Sequence, residues 1–350
     1  MLILGIETAC DDTAVAVVRD GHDVLSSIVL TDTSSLERFG GIVPELVARA
    51  QLELLPSAIQ EAMSVADVDM GSIDAVAVNN RHGLLRSVVV GVAGAKALSL
   101  ATGKPLIPVH HIEGHIYSAL IENPDLSWPH VCLTVAGGHN LLLHAVDHGR
   151  YELIGRTLDD AAGEAYDKLA RRLGLGFPGG PQIDRLATDG DPSAFRLPRP
   201  MLSEDNYDFS FSGLKTATMN LVDDLEARFD TLPVADLAAS FQAAVADVLI
   251  AKTTRAALGL NVDTVSITGG VAANSELRKR ILILGEEHGI SVAIPAIKFC
   301  TDNAAMVACA AFYRSRSEPP AVHNDLDARS NSPLGDLSIY YTTKRRTLIS

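Results

Sequence analysis

Alternating apolar and polar segments divide the chain into short strands and longer helices. The N-terminal run "LILGIETACDDTAVAVVRDGHDVLSSIV" contains three apolar stretches separated by a polar turn and by Asp-Gly, which predicts a β-meander. A weaker copy of this pattern occurs later, in "HVCLTVAGGHNLLLHAVDHGRYELIG". Two similar units in one chain predict an internally duplicated, two-lobed architecture.

Helical patterns lie between and after these two units. The segments "VPELVARAQLELLPSAIQEAM" and "DLAASFQAAVADVLIAKTTRAALGL" alternate with the short strands "DAVAVN" and "TVSITGG". This alternation predicts an α/β fold with helices on the faces of the sheets. The apolar stretch "SVVVGVAGAKALSLA" is interrupted by Lys96 and is shorter than about 20 residues, so we expect a buried helix and no membrane span.

Length and charge narrow the class of protein. A chain of 350 residues is about right for two domains, and 47% hydrophobic with 21% charged residues is typical of a soluble globular protein. The N-terminus "MLILGIETACDD" has no basic region and turns acidic at once, so we expect a cytoplasmic location. A net charge of −14 argues against nucleic-acid affinity over the whole surface. The local basic clusters are Lys168 with Arg171 and Arg172, residues 278–280, and residues 344–346.

Three glycine-rich loops occur next to predicted strands or helices. They are "AGGHN" at 136–140, "GFPGGP" at 176–181 and "TGGVAAN" at 268–274. Glycine lets backbone N–H groups approach a phosphate, and the N-terminus of a following helix favours negative charge. Together with the "ETACDDT" turn, these loops predict a nucleotide cleft between the lobes.

The segment "HHIEGHIYSA" places His111 and His115 four residues apart, which on a helix suits one metal ion if a third ligand comes from elsewhere. The zinc-protease motif HExxH has a glutamate directly after the first histidine. Here the acid, Glu113, comes one position later, about 200° around a helix from His111. A protease base is therefore expected to be misplaced.

Ten blocks of the chain resemble, in order, those of the tRNA threonylcarbamoyladenosine transferase family (TsaD), formerly called O-sialoglycoprotein endopeptidases. They are "GIETACDDTAVAVV", "GGIVPELVARA", "HHIEGHIYSA", "AGGHNLL", "DDAAGEAYDKLARRLGLGFPGGPQIDRLA", "FSFSGLKTA", "ASFQAAVADVL", "TGGVAANSELR", "CTDNAAMVA" and "ARSNSPL". The resemblance implies a two-lobed, duplicated sugar kinase/Hsp70/actin-like α/β fold with a nucleotide cleft. We expect one lobe over 1–115, rejoined by a C-terminal segment of about 325–350, and a second lobe over 116–324.

By the same resemblance, the chain is expected to transfer the threonylcarbamoyl group from threonylcarbamoyl-AMP to N6 of adenosine 37 in tRNAs that read codons starting with A. One divalent metal, iron or zinc, is implied, with His111, His115 and Asp302 as ligands. The implied catalytic residues are Asp11 and Asp12. The implied substrate-binding residues are Ala136, Gly137, Gly138, His139, Asn140, Asp167, Gly180, Asp184 and Asn274.

Three short stretches of the chain depart from the family pattern. The acidic turn normally ends Glu-Thr, whereas this chain has the shorter Asp12 before Thr13. The usual Gly-Pro-Gly-Leu loop after "DAVAV" is "RHGL", which introduces Arg81 and His82. A histidine common after "SRA" or "SRD" is replaced by Gln51. These departures bear on catalytic efficiency more than on fold.

The sequence is also compatible with functions other than threonylcarbamoyl transfer. A catalytically weak scaffold subunit of a tRNA-modifying complex is the main alternative; a metallopeptidase, and a sugar kinase or Hsp70-like ATPase, are further ones. The expected partners are tRNA and, as in bacterial relatives, a smaller inactive paralogue and a P-loop ATPase, with a homodimer as another arrangement. No membrane partner is expected.

Overall fold

The N-terminal apolar run forms a meander that starts a five-stranded mixed sheet. In the computed structural model, which describes residues 1–32, 42–316 and 326–331, β1 (Leu2–Glu7) pairs antiparallel with β2 (Asp12–Arg19), and β2 pairs antiparallel with β3 (Asp23–Thr31). On its other edge β1 pairs in parallel with β4 (Ala75–Arg81), which pairs in parallel with β5 (Leu106–His110). The strand order is β3-β2-β1-β4-β5.

A second sheet repeats this order. Its strands are β6 (His130–Val135), β7 (Asn140–Asp147), β8 (Arg150–Arg156), β9 (Thr264–Thr268) and β10 (Ser291–Ala293). The order is β8-β7-β6-β9-β10, in which β6 pairs antiparallel with β7 and parallel with β9. Each sheet is thus a meander followed by two parallel strands, which is the duplication that the sequence pattern predicts.

Nine α-helices lie within the described ranges, and we number them along the chain. They are α1 (Pro44–Val65), α2 (Leu85–Thr102), α3 (His111–Glu122), α4 (Ala162–Arg172), α5 (Gly179–Ala187), α6 (Ser212–Glu226), α7 (Val234–Leu260), α8 (Ser275–His288) and α9 (Ala304–Arg314). Helices follow or connect the parallel strands of both sheets, as expected for an α/β fold.

The chain divides into two compact units. Unit 1 comprises Met1–Leu126, Asp147–Tyr151 and the described residues from Pro295 onward, and unit 2 comprises Ser127–Val146 and Glu152–Ile294. These units differ from the expected lobes in that residues 116–126, 147–151 and 295–316 fall in unit 1. In unit 1, apolar residues of β1, β2, β4 and β5 form one core with α1 and α2, and Leu326 adds to that core.

Two of the described helices, α2 and α7, reach the length and apolar content of a membrane span. In α7, 72% of the most apolar 18-residue window is buried within the protein, which is typical of a core helix. In α2 the buried share is 33%, because only one face packs. The expectation of a buried helix is therefore correct for one face of α2, while Leu85, Val89 and Leu100 are exposed on it.

Close packing of β1 against α9 gives a test of the fold of unit 1. A side chain at Gly5 would overlap the backbone carbonyl oxygen of Ala304, at the start of α9. We expect Gly5→Ala to lower the free energy of unfolding by about 1–3 kcal/mol, as overpacking does elsewhere, in urea denaturation. Gly213→Ala is the control, because an added methyl there meets only Pro200 at an ordinary distance of 3.9 Å. Equal stability of the two variants would contradict this packing.

Candidate functional site

Two histidines of α3 and one aspartate meet in unit 1. The helix begins directly after β5, where the side chain of His110 accepts a hydrogen bond from the Ile112 N–H (3.1 Å) and caps it. Asp302 lies just before α9. Its Oδ1 is 3.2 Å from Nε2 of His115 and 3.7 Å from Nε2 of His111. The structure therefore brings together the three residues that the resemblance implies as metal ligands.

The chemistry of this group fits a divalent metal. One ligand atom from each residue lies within 4.8 Å of the others, and no other group of three such residues occurs in the described part of the chain. His115 is fully buried, and neither of its ring nitrogens makes a hydrogen bond there. Its Nε2 lies 3.2 Å from Oδ1 of Asp302 without forming a hydrogen bond, and a metal ion held by both atoms would satisfy this buried nitrogen. Two imidazoles and a carboxylate suit zinc or iron.

Glu7, which the sequence analysis did not single out, orients His111. Its Oε2 lies 3.2 Å from Nδ1 of His111, and its Oε1 accepts hydrogen bonds from the Ala9 N–H (2.5 Å) and from Nδ2 of Asn79 (3.1 Å). A carboxylate on the far nitrogen of a ligating histidine fixes the ring and its tautomer. In the sequence, the signal for this role is an acid directly after the apolar stretch "LILGI". In the structure this acid is buried, with 1% of its surface exposed.

The same carboxylates control the charge of His111. Burial lowers the pKa of His111, but the negative charges of Asp302 and Glu7 and the hydrogen bond to Glu7 outweigh burial and raise the pKa to about 9. The metal-free ring is therefore protonated at neutral pH. A metal ion must displace this proton to bind.

The acidic turn between β1 and β2 lies in the same unit. Burial raises the pKa of Asp12 to about 7, and the neighbouring charges of Asp11, Asp302 and Glu7 add to this, whereas a hydrogen bond donated by Thr31 opposes it. Burial also raises the pKa of Asp11. Asp12 therefore titrates near neutral pH, as a proton acceptor in catalysis should.

Gln51, one of the departures from the family pattern, supports this turn from α1. Its Nε2 donates to the backbone carbonyl oxygens of Cys10 (3.1 Å) and Asp12 (2.9 Å). The residue is 1% exposed. The amide thus fixes the backbone that carries the two acids.

A second group of predicted residues meets in unit 2. Asn274 caps α8 by accepting from the Leu277 N–H (3.0 Å), and its Nδ2 donates to Oδ1 of Asp184 (3.1 Å) and to Oε1 of Gln242 (2.7 Å). Tyr166 lies 3.4 Å from the same amide nitrogen. The structure therefore joins Asn274 and Asp184, and adds Gln242 and Tyr166, which the sequence analysis missed.

Asp167, on α4, holds the start of α5. Its Oδ1 accepts from the Gly179 N–H at 2.7 Å, yet burial dominates and raises the pKa of this carboxyl. A Cβ at Gly180 would meet nothing within 4 Å, so the backbone is open at that position. The carboxylate of Asp167 thus lies beside an accessible helix N-terminus.

The predicted "AGGHN" loop forms a tight turn against α4. The Ala136 N–H donates to the His139 carbonyl oxygen (2.8 Å), and the Glu164 N–H donates to that of Gly137 (3.0 Å). The side-chain oxygen of Asn140 accepts from the Ala162 N–H at 3.3 Å. Gly137 and Gly138 have open space where a Cβ would be. The turn therefore presents uncovered backbone at the N-terminus of α4.

Glu113 is unsuited to the protease role. It is 2% exposed; its Oε2 pairs with Nη1 of Arg314 (2.7 Å), and its Oε1 accepts from the Tyr151 hydroxyl (3.2 Å). A carboxylate held by these two partners is not available to activate water beside His111 and His115. The expected misplacement of this acid is borne out by its contacts.

Two cations of the first basic cluster pair with nearby acids. Lys168 pairs with Asp160 (2.8 Å), and Arg172 pairs with Asp223 (2.7 Å) and Glu226 (2.6 Å). Residues 344–346 lie outside the described residues. Lys168 and Arg172 therefore provide less excess positive charge than the composition of their cluster indicates.

Comparison with known proteins places the chain in a family. The profile of the family described as tRNA N6-adenosine threonylcarbamoyltransferase (TsaD) matches residues 23–309. A relative of that name from Symbiobacterium thermophilum is 49% identical over 334 residues, covering 95% of this chain and 96% of the relative. One from Thermosipho africanus is 48% identical over 312 residues, covering 89% of this chain and 94% of the relative. The chain belongs to the tRNA N6-adenosine threonylcarbamoyltransferase family.

Solved structures confirm the fold class. Component A of (R)-2-hydroxyglutaryl-CoA dehydratase from Acidaminococcus fermentans is similar with a TM-score of 0.55 at 16% identity, over 91% of this chain and all of that one. Full-length HypF, in a phosphate- and nucleotide-bound form, is similar with a TM-score of 0.59 at 14% identity, over 90% of this chain and 46% of its own. At these identities the likeness shows fold alone, and it is the predicted two-lobed actin-like fold.

The raised pKa of His111 gives a prediction about metal uptake. Its folded value of about 9 exceeds the usual value of about 6.5. Since the proton leaves when metal binds, the apparent affinity for Zn²⁺ should rise about tenfold per pH unit from this group alone between pH 6.5 and 8.5. The measurement is competition against a chromophoric chelator.

Glu7→Gln should weaken that pH dependence, because one of the two carboxylates that raise the pKa of His111 is lost. Glu53→Gln, on the exposed face of α1, is the matched control and should behave as the wild type. An affinity that does not change over this pH range would show that metal binding releases no proton from His111, which would contradict either its raised pKa or its role as a ligand.

Proposed function

We propose that this chain transfers a threonylcarbamoyl group from threonylcarbamoyl-AMP to N6 of adenosine 37 in tRNAs that read codons starting with A. The observation that carries the proposal is the group of His111, His115 and Asp302 in a chain that matches the family over residues 23–309. The relatives carry the name of this activity. A scaffold without chemistry would have no need to bring two imidazoles and a carboxylate together at one point.

The metal proposed at this group is iron or zinc. When bound, such an ion would supply Lewis acidity toward oxygens of the donor and the developing oxyanion. His111 and His115 would hold it with Asp302, and Glu7 would keep the His111 ring oriented. The donor set suits both metals.

Asp11 and Asp12 are the proposed catalytic carboxylates. Attack by the adenine N6 amine on the donor carbonyl forms the N6–C bond, breaks the C–O bond to the phosphate so that AMP leaves, and releases a proton that a nearby base must accept. Asp12, with a pKa of about 7, is half ionised near neutral pH and can take this proton on its carboxylate. Gln51 and Thr31 would hold it in place during the transfer.

The residues of unit 2 are proposed to bind the adenylate part of the donor. Asp167 would accept hydrogen bonds from ribose hydroxyls, with Gly180 and Asp184 alongside, and Asn274 would contact the adenosine. The backbone of 136–140 would bind the phosphate and threonylcarbamoyl groups, because glycine lets the backbone approach a ligand closely and space is open at Gly137 and Gly138. The hydrogen bonds among Asp184, Gln242 and Asn274 support a preformed site.

Partners are proposed from the family and from one surface. The exposed face of α2 carries Leu85, Val89 and Leu100 at 48–68% exposure. A row of apolar side chains on one helix face is typical of a protein interface. We propose that a smaller inactive paralogue binds here, together with a P-loop ATPase in the complex, with a homodimer as the competing arrangement. We propose further that the chain binds tRNA and acts in the cytoplasm.

A transfer assay tests the activity. The purified chain, supplied with threonylcarbamoyl-AMP, tRNA and the proposed partners, should form threonylcarbamoyladenosine, and His115→Ala should reduce the rate at least about 100-fold, as loss of a metal ligand does. His22→Asn, an exposed histidine on the β2–β3 turn, should leave the rate unchanged. Wild-type chain that binds tRNA and partners yet forms no product would favour the scaffold alternative.

Adenylate binding in unit 2 has its own test. Asp167→Ala should weaken AMP binding about tenfold or more, since a carboxylate that accepts ribose hydroxyls contributes roughly 1.5–3 kcal/mol. Isothermal titration calorimetry with AMP measures the effect. Asp224→Ala, an exposed aspartate on α6, is the control in the same unit. Equal affinities for all three proteins would remove Asp167 from the site.

A further inference from the structure

The loop after β4 carries a histidine in a backbone conformation that favours glycine. His82 has φ of 68° and the following Gly83 has φ of 147°. A residue with a side chain is uncommon at positive φ, and such a conformation persists only when the surroundings impose it. The contacts of the loop should therefore show what holds His82 in place.

Hydrogen bonds on both sides hold this loop. The N–H groups of His82 and Gly83 donate to the carbonyl oxygens of Arg329 (3.0 Å) and Ser330 (3.1 Å), in the described segment 326–331. The Leu84 N–H donates to the carbonyl oxygen of Ala9 at 2.7 Å. A Cβ at position 83 would overlap the backbone of Ala9. Glycine is thus required at position 83. The backbone that carries the His82 side chain is held by these hydrogen bonds.

The imidazole of His82 lies against the histidines at the start of α3. Its ring centroid is 5.5 Å from that of His110, with 23° between the planes, and 6.5 Å from that of His111, with 13° between the planes. The other neighbours of His111 are Glu7 at Nδ1, Asp302 toward Nε2, and the His115 ring, nearly perpendicular at 4.7 Å. His82 therefore provides the near-parallel neighbour among the rings around His111.

We propose that His82 is a positioning residue for the metal centre. Its ring lies beside those of His110 and His111 and limits rotation of the His111 imidazole, so that Nε2 stays directed toward Asp302. The inference rests on the proposed metal centre. Because the family pattern has Gly-Pro-Gly-Leu where this chain has "RHGL", the contact belongs to this chain and is not implied by the resemblance.

The test is Co²⁺ binding to the metal-free full-length chain, without donor or tRNA, followed by visible absorbance. His82→Gly removes the ring and relieves the positive φ, so the fold should not be weakened. We expect the dissociation constant for Co²⁺ to rise about tenfold, as for other residues that orient ligands, with an altered Co²⁺ spectrum. His82→Phe keeps a flat ring without nitrogens and should restore both affinity and spectrum.

Two controls separate this role from general destabilisation. His82→Asn, which tolerates positive φ, should repeat the weakening seen with glycine. His22→Asn, far from the site in sequence and exposed, should bind Co²⁺ as the wild type does. Thermal unfolding of each metal-free variant should show that the His82 variants remain folded.

The outcomes are distinguishable from failure of the proposed function. Unchanged Co²⁺ affinity in His82→Gly and His82→Asn would overturn the positioning role alone. Equal weakening in His82→Phe and His82→Gly would also overturn it, because a ring nitrogen and not packing would then be responsible. A wild-type chain that binds no Co²⁺ would overturn the metal centre itself and this inference with it.

Discussion

The buried carboxylate of Glu7 is the interaction on which the arrangement of unit 1 depends. It ends β1, accepts hydrogen bonds from the Ala9 N–H of the acidic turn and from Asn79 of β4, and contacts His111 at the start of α3. Burying a carboxylate costs several kcal/mol unless it is paired and hydrogen-bonded. The acidic turn, β4 and the start of α3 must therefore keep fixed positions around the Glu7 side chain. The same side chain orients the His111 ring.

Repetition of one topology explains where the two groups of polar residues lie. In each sheet the meander is followed by parallel strands, and loops and helix N-termini gather at the carboxyl ends of those strands. In unit 1 this edge holds Glu7, the acidic turn and the start of α3; in unit 2 it holds the 136–140 turn and Asn274. Duplication thus gives two similar frames, and different side chains distinguish them: one holds the three residues that fit a metal, and the other holds the residues proposed to bind adenylate.

The sequence predicted the parts of this structure that depend on local pattern. The meanders, the alternation of strands and helices, and the i, i+4 histidines of α3 follow from periodicity and spacing, while Asp302 as third ligand came from resemblance. Glu7, Gln242 and Tyr166 were missed because their roles depend on partners distant in sequence, such as Glu7 with His111. The ion pairs of Arg172 could not be predicted for the same reason, since its partners Asp223 and Glu226 lie on another helix.

The departures from the family pattern concentrate around the acidic turn and α3. Gln51 donates twice to the backbone of the turn, at the cost of leaving its Oε1 buried without a hydrogen bond among the described residues, whereas a neutral imidazole could donate only once. Asp12 is shorter than the usual glutamate but is held by Thr31. His82 enters beside His111 on a loop that bonds to Ala9. Each of these three side chains therefore contacts the acidic turn or lies beside His111, so the departures change the groups that surround the site and leave His111, His115 and Asp302 together.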